Sequence, residues 1–371
     1  MQQKHNKNNA STIFGVHQIP STTQIANLLD PIEPSALCPL LINIGDQVLA
    51  SGKMAAYRCL EESLLIAFDG TDTVSSEKIC CGQCCSQQLA NGNVLYRHIA
   101  LTPVVVAPGQ NAVIPLPPEF VQPQDGHKKQ DCELNAAKRW LERWGKHYAA
   151  RKVTLLGDDL YCHQPFCEAV RAQNIHFLFT CKPDSHALLY EWLGDFERTG
   201  QVNTLTVKRR QGNKRLIDHY RFFNHLPLRD SDDALPVNGC ELVTCNEQGD
   251  VLYSNAWATS HRLDAANVVA VVAAARSRWK IENENNNVLK NHGYHFEHNF
   301  AHGKQNLANL LATLNLLAFL VHTALDILDK AYHTVRKAAP SRRTFFEQIR
   351  TLLHFIPFNN WDEFMLFMLD G

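Results

Sequence analysis

The sequence predicts an α/β protein in which helices flank a mixed β-sheet. Two observations predict this class. Short apolar runs, several of them ending in Gly or Asp, recur between residues 64 and 182, and from residue 131 they alternate with amphipathic helical patterns. The chain has 371 residues, of which 45% are hydrophobic, so it can bury at least one substantial core.

Three strands are predicted at the start of the sheet. The apolar run 64–68 is followed by Asp69-Gly70, as expected for a buried strand that ends in a turn. Two further strands, at 78–88 and 96–107, flank an Asn-Gly-Asn turn, and their spacing indicates a hairpin.

Helices and strands then alternate along the chain. Three hairpin-linked strands followed by such an alternation indicate a ribonuclease-H-like mixed sheet with helices on both faces. A β-rich insertion is predicted before a long helix, from about Asp264 to Lys290, that carries two glutamates. The alternating elements are a helix at 131–150, a strand at 152–156, a helix at 164–173, a strand at 176–182 and a helix at 185–196.

These patterns predict four parts. They are a short N-terminal lead-in at 1–60, a ribonuclease-H-like core at 61–197 and 261–330, the β-rich insertion at 198–260, and a C-terminal helical segment at 331–371.

Composition restricts the cellular setting more than the partner. The formal net charge is −1, so any DNA-binding surface must be a local patch. The polar N-terminus lacks the apolar stretch of a secretory signal, which predicts a cytoplasmic protein with reduced cysteines. The uncharged stretch 305–325 is interrupted by asparagines and is interpreted as a buried helix rather than a membrane span.

Acidic residues follow two of the predicted strands and lie on the long helix. Asp69 follows the first strand, and Asp158 and Asp159 follow the fourth. Glu282 and Glu284 lie on the helix. Carboxylates from separate elements can share Mg²⁺, which prefers hard oxygen ligands. Each residue also has a simpler interpretation, as a turn, a helix cap or a solvated helix face.

Three segments around these acids resemble the motifs of bacterial insertion-sequence DDE transposases of the cut-and-paste type. They are Phe68-Asp-Gly-Thr71, Leu156-Gly-Asp-Asp-Leu-Tyr161, and Arg278-Trp-Lys-Ile-Glu-Asn-Glu284 continuing to Tyr294. The likeness extends over roughly residues 12 to 330. The β-rich insertion also suits the branch of that family that carries one.

The resemblance implies metal-dependent cleavage at transposon ends, followed by strand transfer into target DNA. It implies that Asp69, Asp158 and Glu282 hold Mg²⁺, with Mn²⁺ as a substitute, and that Asp159 and Glu284 are the fallback ligands. Double-stranded DNA is the implied partner, bound by a homodimer, in a nucleoid-associated cytoplasmic protein without a membrane partner.

The glutamate helix differs from the family pattern at two positions. Ala275 stands three residues before Arg278, where the family has a tyrosine. The resemblance assigns Arg278 to phosphate binding. Leu289 stands where the family has a lysine, and Lys290, the candidate DNA contact, comes one residue later. The lead-in at 1–60 is also short for a full end-recognition domain, so the resemblance implies a truncated DNA-binding region before the catalytic core at 61–197 and 261–330.

A cysteine-rich turn is a candidate zinc site. Cys81 and Cys84 form a C-x₂-C pair, and His98 lies on the neighbouring predicted strand; the fourth ligand would come from Cys80, Cys85 or elsewhere. Buried reduced cysteines are the alternative. The histidines at 292, 295, 298 and 302 are interpreted as polar loop residues that contact DNA or solvent, with a metal cluster as the alternative.

One dense basic run is a candidate for contact with the DNA backbone. A hairpin tip with five cations suits phosphate contact, and a solvated turn is the alternative. The cations are Lys208, Arg209, Arg210, Lys214 and Arg215.

Two rivals to the transposase remain open: a structure-selective nuclease of the same fold, and a catalytically inactive transposase remnant that binds only DNA or zinc.

Overall fold

The computed structural model describes residues 9–123, 131–298 and 302–370. Over these ranges the chain is an α/β protein with a mixed sheet of parallel and antiparallel strands flanked by helices, which confirms that part of the prediction. The predicted lead-in, core and C-terminal segment each include residues outside the described ranges.

Fourteen strands form two sheets in the described part of the chain. The larger sheet has the order β11-β12-β13-β14-β10-β9-β2-β6-β7, with β1 also paired to β2, and the smaller has the order β3-β5-β4, with β8 on β5. The strands are β1 (Arg58–Cys59), β2 (Ser63–Ala67), β3 (Gly70–Ser76), β4 (Cys85–Gln88), β5 (Val94–Leu101), β6 (Val104–Val106), β7 (Ile114–Pro115), β8 (Glu119–Phe120), β9 (Val153–Gly157), β10 (His176–Thr180), β11 (Asn203–Gln211), β12 (Lys214–Pro227), β13 (Pro236–Asn246) and β14 (Val251–Thr259).

The centre of the larger sheet is buried on both faces. Strands β2, β9 and β10 are parallel neighbours, whereas β6 and β14 run antiparallel to β2 and β10. Alternate residues of β2 enter different cores: Leu64 and Ile66 pack into one, and Leu65 and Ala67 into the other. Continuous apolar runs are expected for parallel strands that are covered on both faces.

Strands β11 to β14 form an antiparallel meander that continues the larger sheet. They cover the strand segments predicted between residues 204 and 259, and β14 pairs directly with β10. The β11–β12 hairpin turns at Gly212, whose φ of +58° is readily adopted by glycine. The basic run therefore lies at the tip of a hairpin.

The strand predicted at 78–88 is wrong over most of its length. Only Cys85–Gln88 is a strand, and the preceding residues form a turn in which the Cys84 amide donates to the Cys81 carbonyl, at 3.2 Å. The turn gathers the thiols of Cys81 and Cys84 on its inner side, 3.7 Å apart.

Helices cover the sheets and form the C-terminal part of the described chain. Helices α9 to α11 share an apolar cluster built on Tyr332, Phe345 and Phe364. The helices are α1 (Thr22–Leu29), α2 (Cys38–Ala50), α3 (Glu133–Ala149), α4 (Gln164–Ala172), α5 (Ala187–Arg198), α6 (Val268–Arg276), α7 (Asn287–Asn291), α8 (Leu307–Leu328), α9 (Lys330–Ala338), α10 (Arg342–Phe355) and α11 (Trp361–Asp370).

The prediction of one continuous helix from about 264 to 290 is wrong. Helix α6 ends at Arg276, and a π-helix over Ile281–Asn286 leads into α7. The Ser277 hydroxyl donates to the Ala273 carbonyl at 3.0 Å, a contact that bends helices. In the π-helix the Asn287 amide donates to the Glu282 carbonyl, five residues earlier.

Helix α8 contains most of the uncharged stretch at 305–325. Its length and composition would allow it to cross a membrane, as would the bent pair formed by Thr22–Leu29 and Pro34–Ala50. Nine residues of α8 are buried, among them Leu310, Leu316 and Leu320. One or two such helices are weak evidence for a membrane span, because the core helix of an α/β protein can have the same length and composition.

Candidate active site and metal centre

Asp69 and Asp158 lie at the same edge of the larger sheet. Strands β2 and β9 are parallel, with Ala67 opposite Leu156, so the residues that follow them emerge side by side. The Asp158 side chain also accepts from the Leu160 amide, at 2.9 Å, and caps a short 3₁₀ turn. The capping alternative is therefore correct for Asp158, and a metal could still bind the same carboxylate.

The π-helix contacts Asp69 directly. The side-chain amide of Asn286 donates to Asp69 Oδ2 at 3.1 Å, and its carbonyl oxygen accepts from the Thr102 hydroxyl at 3.0 Å. Asn286 lies four residues after Glu282, on the adjacent turn. The segment that carries Glu282 is thus attached to the strand edge through a side chain that the sequence did not single out.

The electrostatic environment of Asp69 links three acids at this edge. Burial, then the neighbouring Glu133, raises the pKa of Asp69 to about 7, with smaller contributions from Glu282 and Asp158. Arg278 opposes the shift. Arg278 Nη2 donates to Glu282 Oε1 at 2.7 Å, so the predicted phosphate-binding arginine is paired with the predicted metal ligand.

The two fallback ligands have other surroundings. Asp159 accepts from the Lys182 amide at 2.8 Å and from the Ser185 hydroxyl. Glu284 lies near Lys280, where its charge partly offsets the lowering of the Lys280 pKa by burial.

Glu133 joins the two aspartate-bearing loops. It opens α3, and its Oε1 accepts from the Gly70 amide at 2.9 Å and from the hydroxyl of fully buried Tyr161. Gly70 follows Asp69, and Tyr161 ends the turn that Asp158 caps. The sequence placed Glu133 in a helix but gave no sign of these partners, because they come from segments 63 and 28 residues away.

Close packing leaves little space at two glycines beside the aspartates. A Cβ at Gly70 would collide with the Glu133 carboxylate, and a Cβ at Gly157 would lie 2.7 Å from the Tyr161 ring. The Asp-Gly and Gly-Asp pairs therefore reflect the narrow space around Glu133 and Tyr161.

The three predicted ligands are near one another without converging tightly. Two groups in the described chain have at least three Cys, His, Asp or Glu ligand atoms all within 4.8 Å of one another, and the carboxylates of Asp69, Asp158 and Glu282 do not form such a group. The exposed fraction of the Glu282 side chain is 50%, so this side chain can change partner.

One of those groups contains the predicted zinc ligands Cys81, Cys84 and His98, and adds His302. The sequence interpretation assigned His302 to contact with DNA or solvent. The structure instead buries it, with 3% of its surface exposed. The sequence offered a metal cluster only as the alternative for the four histidines, because their spacing could not show which of them reaches the thiols.

The other group consists of buried Cys162, Cys181 and His186. Asp159 lies 3.5 Å from His186. A hydrogen bond with Cys162, and then His186, lowers the pKa of the Cys181 thiol to about 6 although burial opposes this. Cysteine spacing did not reveal the group, because its members lie on different elements.

The candidate DNA-contacting cations differ in their partners. Arg209 pairs with buried Asp218, and Arg215 pairs with Glu247 at 3.1 Å. Within the described ranges, Lys208, Arg210 and Lys214 have no acidic side chain within ion-pair distance.

Lys290 and Leu289 have opposite environments. Lys290 Nζ pairs with Glu297 at 2.6 Å, whereas Leu289 is fully buried. Ala275 is also buried, with 3% exposed, so this position offers no side chain to the site.

No protein-family model matches the chain, and no curated protein matches it. Function is therefore inferred from the residues and their arrangement.

Proposed function

We propose that the chain is a DDE-type DNA transposase that cleaves phosphodiester bonds at transposon ends and joins the freed ends to target DNA. One observation carries the proposal. Two aspartates follow adjacent parallel strands, and the segment with Glu282 is attached to the first of them through Asn286. This arrangement gathers hard oxygen ligands from three elements, as divalent-metal phosphodiester chemistry requires.

The strand order supports a ribonuclease-H-like core. Strand β2 has the antiparallel β6 on one side and the parallel β9 and β10 on the other. The antiparallel meander β11–β14 comes between β10 and the helices that carry Arg278 and Glu282. Both features agree with the insertion-bearing branch that the motifs resemble.

The residues present fit Mg²⁺ or Mn²⁺. Negative charges on Glu133, Glu282 and Asp158 contribute to the raised pKa of Asp69. A divalent cation would relieve this repulsion. When bound, such ions activate the attacking oxygen and stabilise the leaving oxygen in phosphodiester cleavage. Asp69, Asp158 and Glu282 would hold the metal, and Glu133 would orient the two loops.

Arg278 has a defined role in this proposal. In the DNA-free chain its guanidinium neutralises Glu282. Glu282 would hold the metal, and the guanidinium released from this ion pair would bind a phosphate near the cleaved bond through two parallel hydrogen bonds. The ion pair thus keeps both side chains oriented along one face until DNA arrives.

The π-helix accounts for the displaced lysine. Seven residues in an α-helix return to nearly the same face, and a π-turn inserts one additional residue without adding a turn. Because the π-helix lies between Glu282 and Lys290, eight residues here correspond to seven in an uninterrupted α-helix. Lys290 therefore takes the role in DNA contact that the family pattern gives to a lysine one position earlier.

DNA binding beyond the site is assigned to the β11–β12 hairpin. Lys208, Arg210 and Lys214 offer cations to the phosphate backbone, whereas Arg209 and Arg215 also form ion pairs within the fold. A homodimer that pairs two transposon ends, in a cytoplasmic protein associated with the nucleoid, completes the proposal.

Nicking of supercoiled plasmid in the presence of Mn²⁺ tests this function. The wild-type chain is expected to nick DNA, and Asp69→Ala and Glu282→Ala are expected to abolish nicking. Glu284→Ala removes the fallback ligand two residues from Glu282 and should retain activity, and its loss of activity would assign the metal-binding role to Glu284 instead. Joining of a labelled pre-cleaved DNA end to plasmid distinguishes a transposase from a nuclease.

Three results would overturn parts of the proposal. Nicking that persists in both Ala variants indicates a contaminant. Nicking without end joining indicates a structure-selective nuclease. A folded chain that binds DNA or zinc but never nicks it is a catalytically inactive remnant.

A further inference from the structure

Four potential metal ligands from three separate segments meet beneath the smaller sheet. Cys81 and Cys84 come from the turn before β4, His98 from β5, and His302 from the segment before α8. The Sγ atoms of the cysteines are 3.7 Å apart, and His98 Nε2 lies 3.3 Å from each of them. His302 Nδ1 lies 3.4 Å from Cys84 Sγ.

We propose that Cys81, Cys84, His98 and His302 bind one zinc ion. With Zn–S bonds of about 2.3 Å and Zn–N bonds of about 2.0–2.1 Å, a tetrahedral site separates two sulfurs by about 3.8 Å and a sulfur from a nitrogen by about 3.5 Å. The observed distances of 3.7, 3.3, 3.3 and 3.4 Å approach these values.

Backbone amides donate to both thiols. The Gln83 amide donates to Cys81 Sγ at 3.4 Å, and the Cys81 amide donates to Cys84 Sγ at 3.3 Å. Such donors suit the sulfur of a metal-bound cysteine, whereas burial raises the pKa of the metal-free Cys84 thiol. A disulfide does not explain the pair, because bonded sulfurs are about 2.05 Å apart.

A residue outside the cluster fixes the orientation of His98. Its Nδ1 lies 2.8 Å from Asn309 Oδ1 on α8, so Nδ1 carries the proton and Nε2 presents its lone pair to the cysteines. Both His98 and Asn309 are buried, which holds this arrangement. Such support is characteristic of metal-binding histidines.

The site is structural rather than catalytic. Its four positions are filled by protein side chains, which leaves none for water or substrate. It connects the hairpin that contains β5 to the segment between α7 and α8. The zinc inference stands independently of the proposed function, since neither the ligand geometry nor the test involves DNA.

Metal analysis of the purified 371-residue chain tests the inference. Elemental mass spectrometry is expected to find zinc bound in the wild type, with one equivalent fewer in Cys84→Ser and in His302→Ala. Cys80→Ser is the matched control, because this exposed thiol lies in the same turn but outside the cluster, and it should keep the wild-type zinc content. His302→Ala separates a four-ligand site from the three ligands that the sequence indicated.

A second measurement addresses variants that fail to fold. Wild-type chain stripped of metal and reloaded with Co²⁺ should show the visible d–d bands of tetrahedral coordination and a sulfur-to-cobalt charge-transfer band. Zinc removal should also lower the melting temperature, and readdition should restore it. A wild-type chain that contains no zinc and gives no tetrahedral Co²⁺ spectrum would overturn the inference, as would undiminished zinc in both Cys84→Ser and His302→Ala.

Discussion

Glu133 shows how a single side chain can join two loops, those that follow β2 and β9. Its carboxylate accepts hydrogen bonds from the residue after Asp69 and from the tyrosine that ends the Asp158 turn. In the described part of the chain, neither the Gly70 amide nor the Tyr161 hydroxyl has a second hydrogen-bond acceptor that could replace the carboxylate. Glu133 is therefore a positioning residue whose removal should affect stability as well as activity.

Replacing Glu133 by alanine should lower the free energy of unfolding by about 2 kcal/mol, because it leaves the Tyr161 hydroxyl and the Gly70 amide without an acceptor. Glu133→Gln retains an acceptor oxygen and should lose less. Urea unfolding measures both, with Glu142→Ala, exposed on the same helix, as the control. A Glu133→Ala variant as stable as that control would show that these hydrogen bonds contribute little.

His261 gives the fold a defined sensitivity to acid. Burial, and then the nearby His176, lowers the pKa of His261 to about 4, from an ordinary value of 6.5. Its ring lies 2.9 Å from the Thr154 hydroxyl in the core. Because the folded pKa is depressed, the stability that the neutral ring contributes is present above pH 6.5 and is lost as the pH falls toward 4.

The free energy of unfolding should therefore decrease between pH 6.5 and pH 4, and His261→Gln should reduce that decrease by up to about 3 kcal/mol. Denaturant titrations at several pH values measure it. His219→Gln, which changes an exposed histidine, should leave the pH profile as in the wild type. A His261→Gln profile that parallels the wild type would contradict the assignment.

At the scale of elements, the π-helix determines how Glu282, Asn286 and Lys290 are spaced around the candidate site. It accommodates one residue more than an α-helix would between Glu282 and Lys290, and it places Asn286 against Asp69. Deleting exposed Asn283 should convert this segment to an α-helix and leave both flanking faces in register. The π-helix is the rarer form and occurs mostly as a one-residue insertion within an α-helix, so stability should be unchanged or increased.

Thermal unfolding of the Asn283 deletion tests this expectation. The matched control is deletion of Ala273, which lies in the regular part of α6 and should rotate one end of that helix out of the core. Equal destabilisation by the two deletions would show that the π-helix does not hold a surplus residue.

Local sequence patterns predicted the individual elements better than their junctions. The strands before Asp69 and Asp158 are continuous apolar runs, and the prediction of their position is confirmed. The break after Arg276 was missed because the segment keeps helical periodicity while Ser277 redirects the backbone. Glu133, Asn286 and His302 were missed as site residues because their partners are distant in sequence.

At the scale of the whole molecule, a net charge of −1 means that the proposed DNA binding would depend on local patches. Changing Lys208, Arg210 and Lys214 to glutamine should weaken binding to duplex DNA. It should also reduce the slope of log affinity against log salt, by up to about 3 if each contacts one phosphate. Fluorescence anisotropy at several salt concentrations measures both.

The same charge change elsewhere provides the control. Glutamine at exposed Lys53, Lys146 and Lys330 removes three cations away from the hairpin and should leave the salt slope near that of the wild type. Equal losses in the two triple variants would show that the hairpin has no special role in DNA binding.

The central claim is that Asp69, Asp158 and Glu282 form one divalent-metal site. The most direct test is titration of the zinc-loaded chain with Mn²⁺, with and without duplex DNA, with free Mn²⁺ followed by electron paramagnetic resonance. Wild type and Glu284→Gln are expected to bind Mn²⁺ equally, and Asp69→Asn and Glu282→Gln should bind at least about tenfold more weakly, a difference of about 1.4 kcal/mol. Equal Mn²⁺ affinity in all four proteins would contradict the claim.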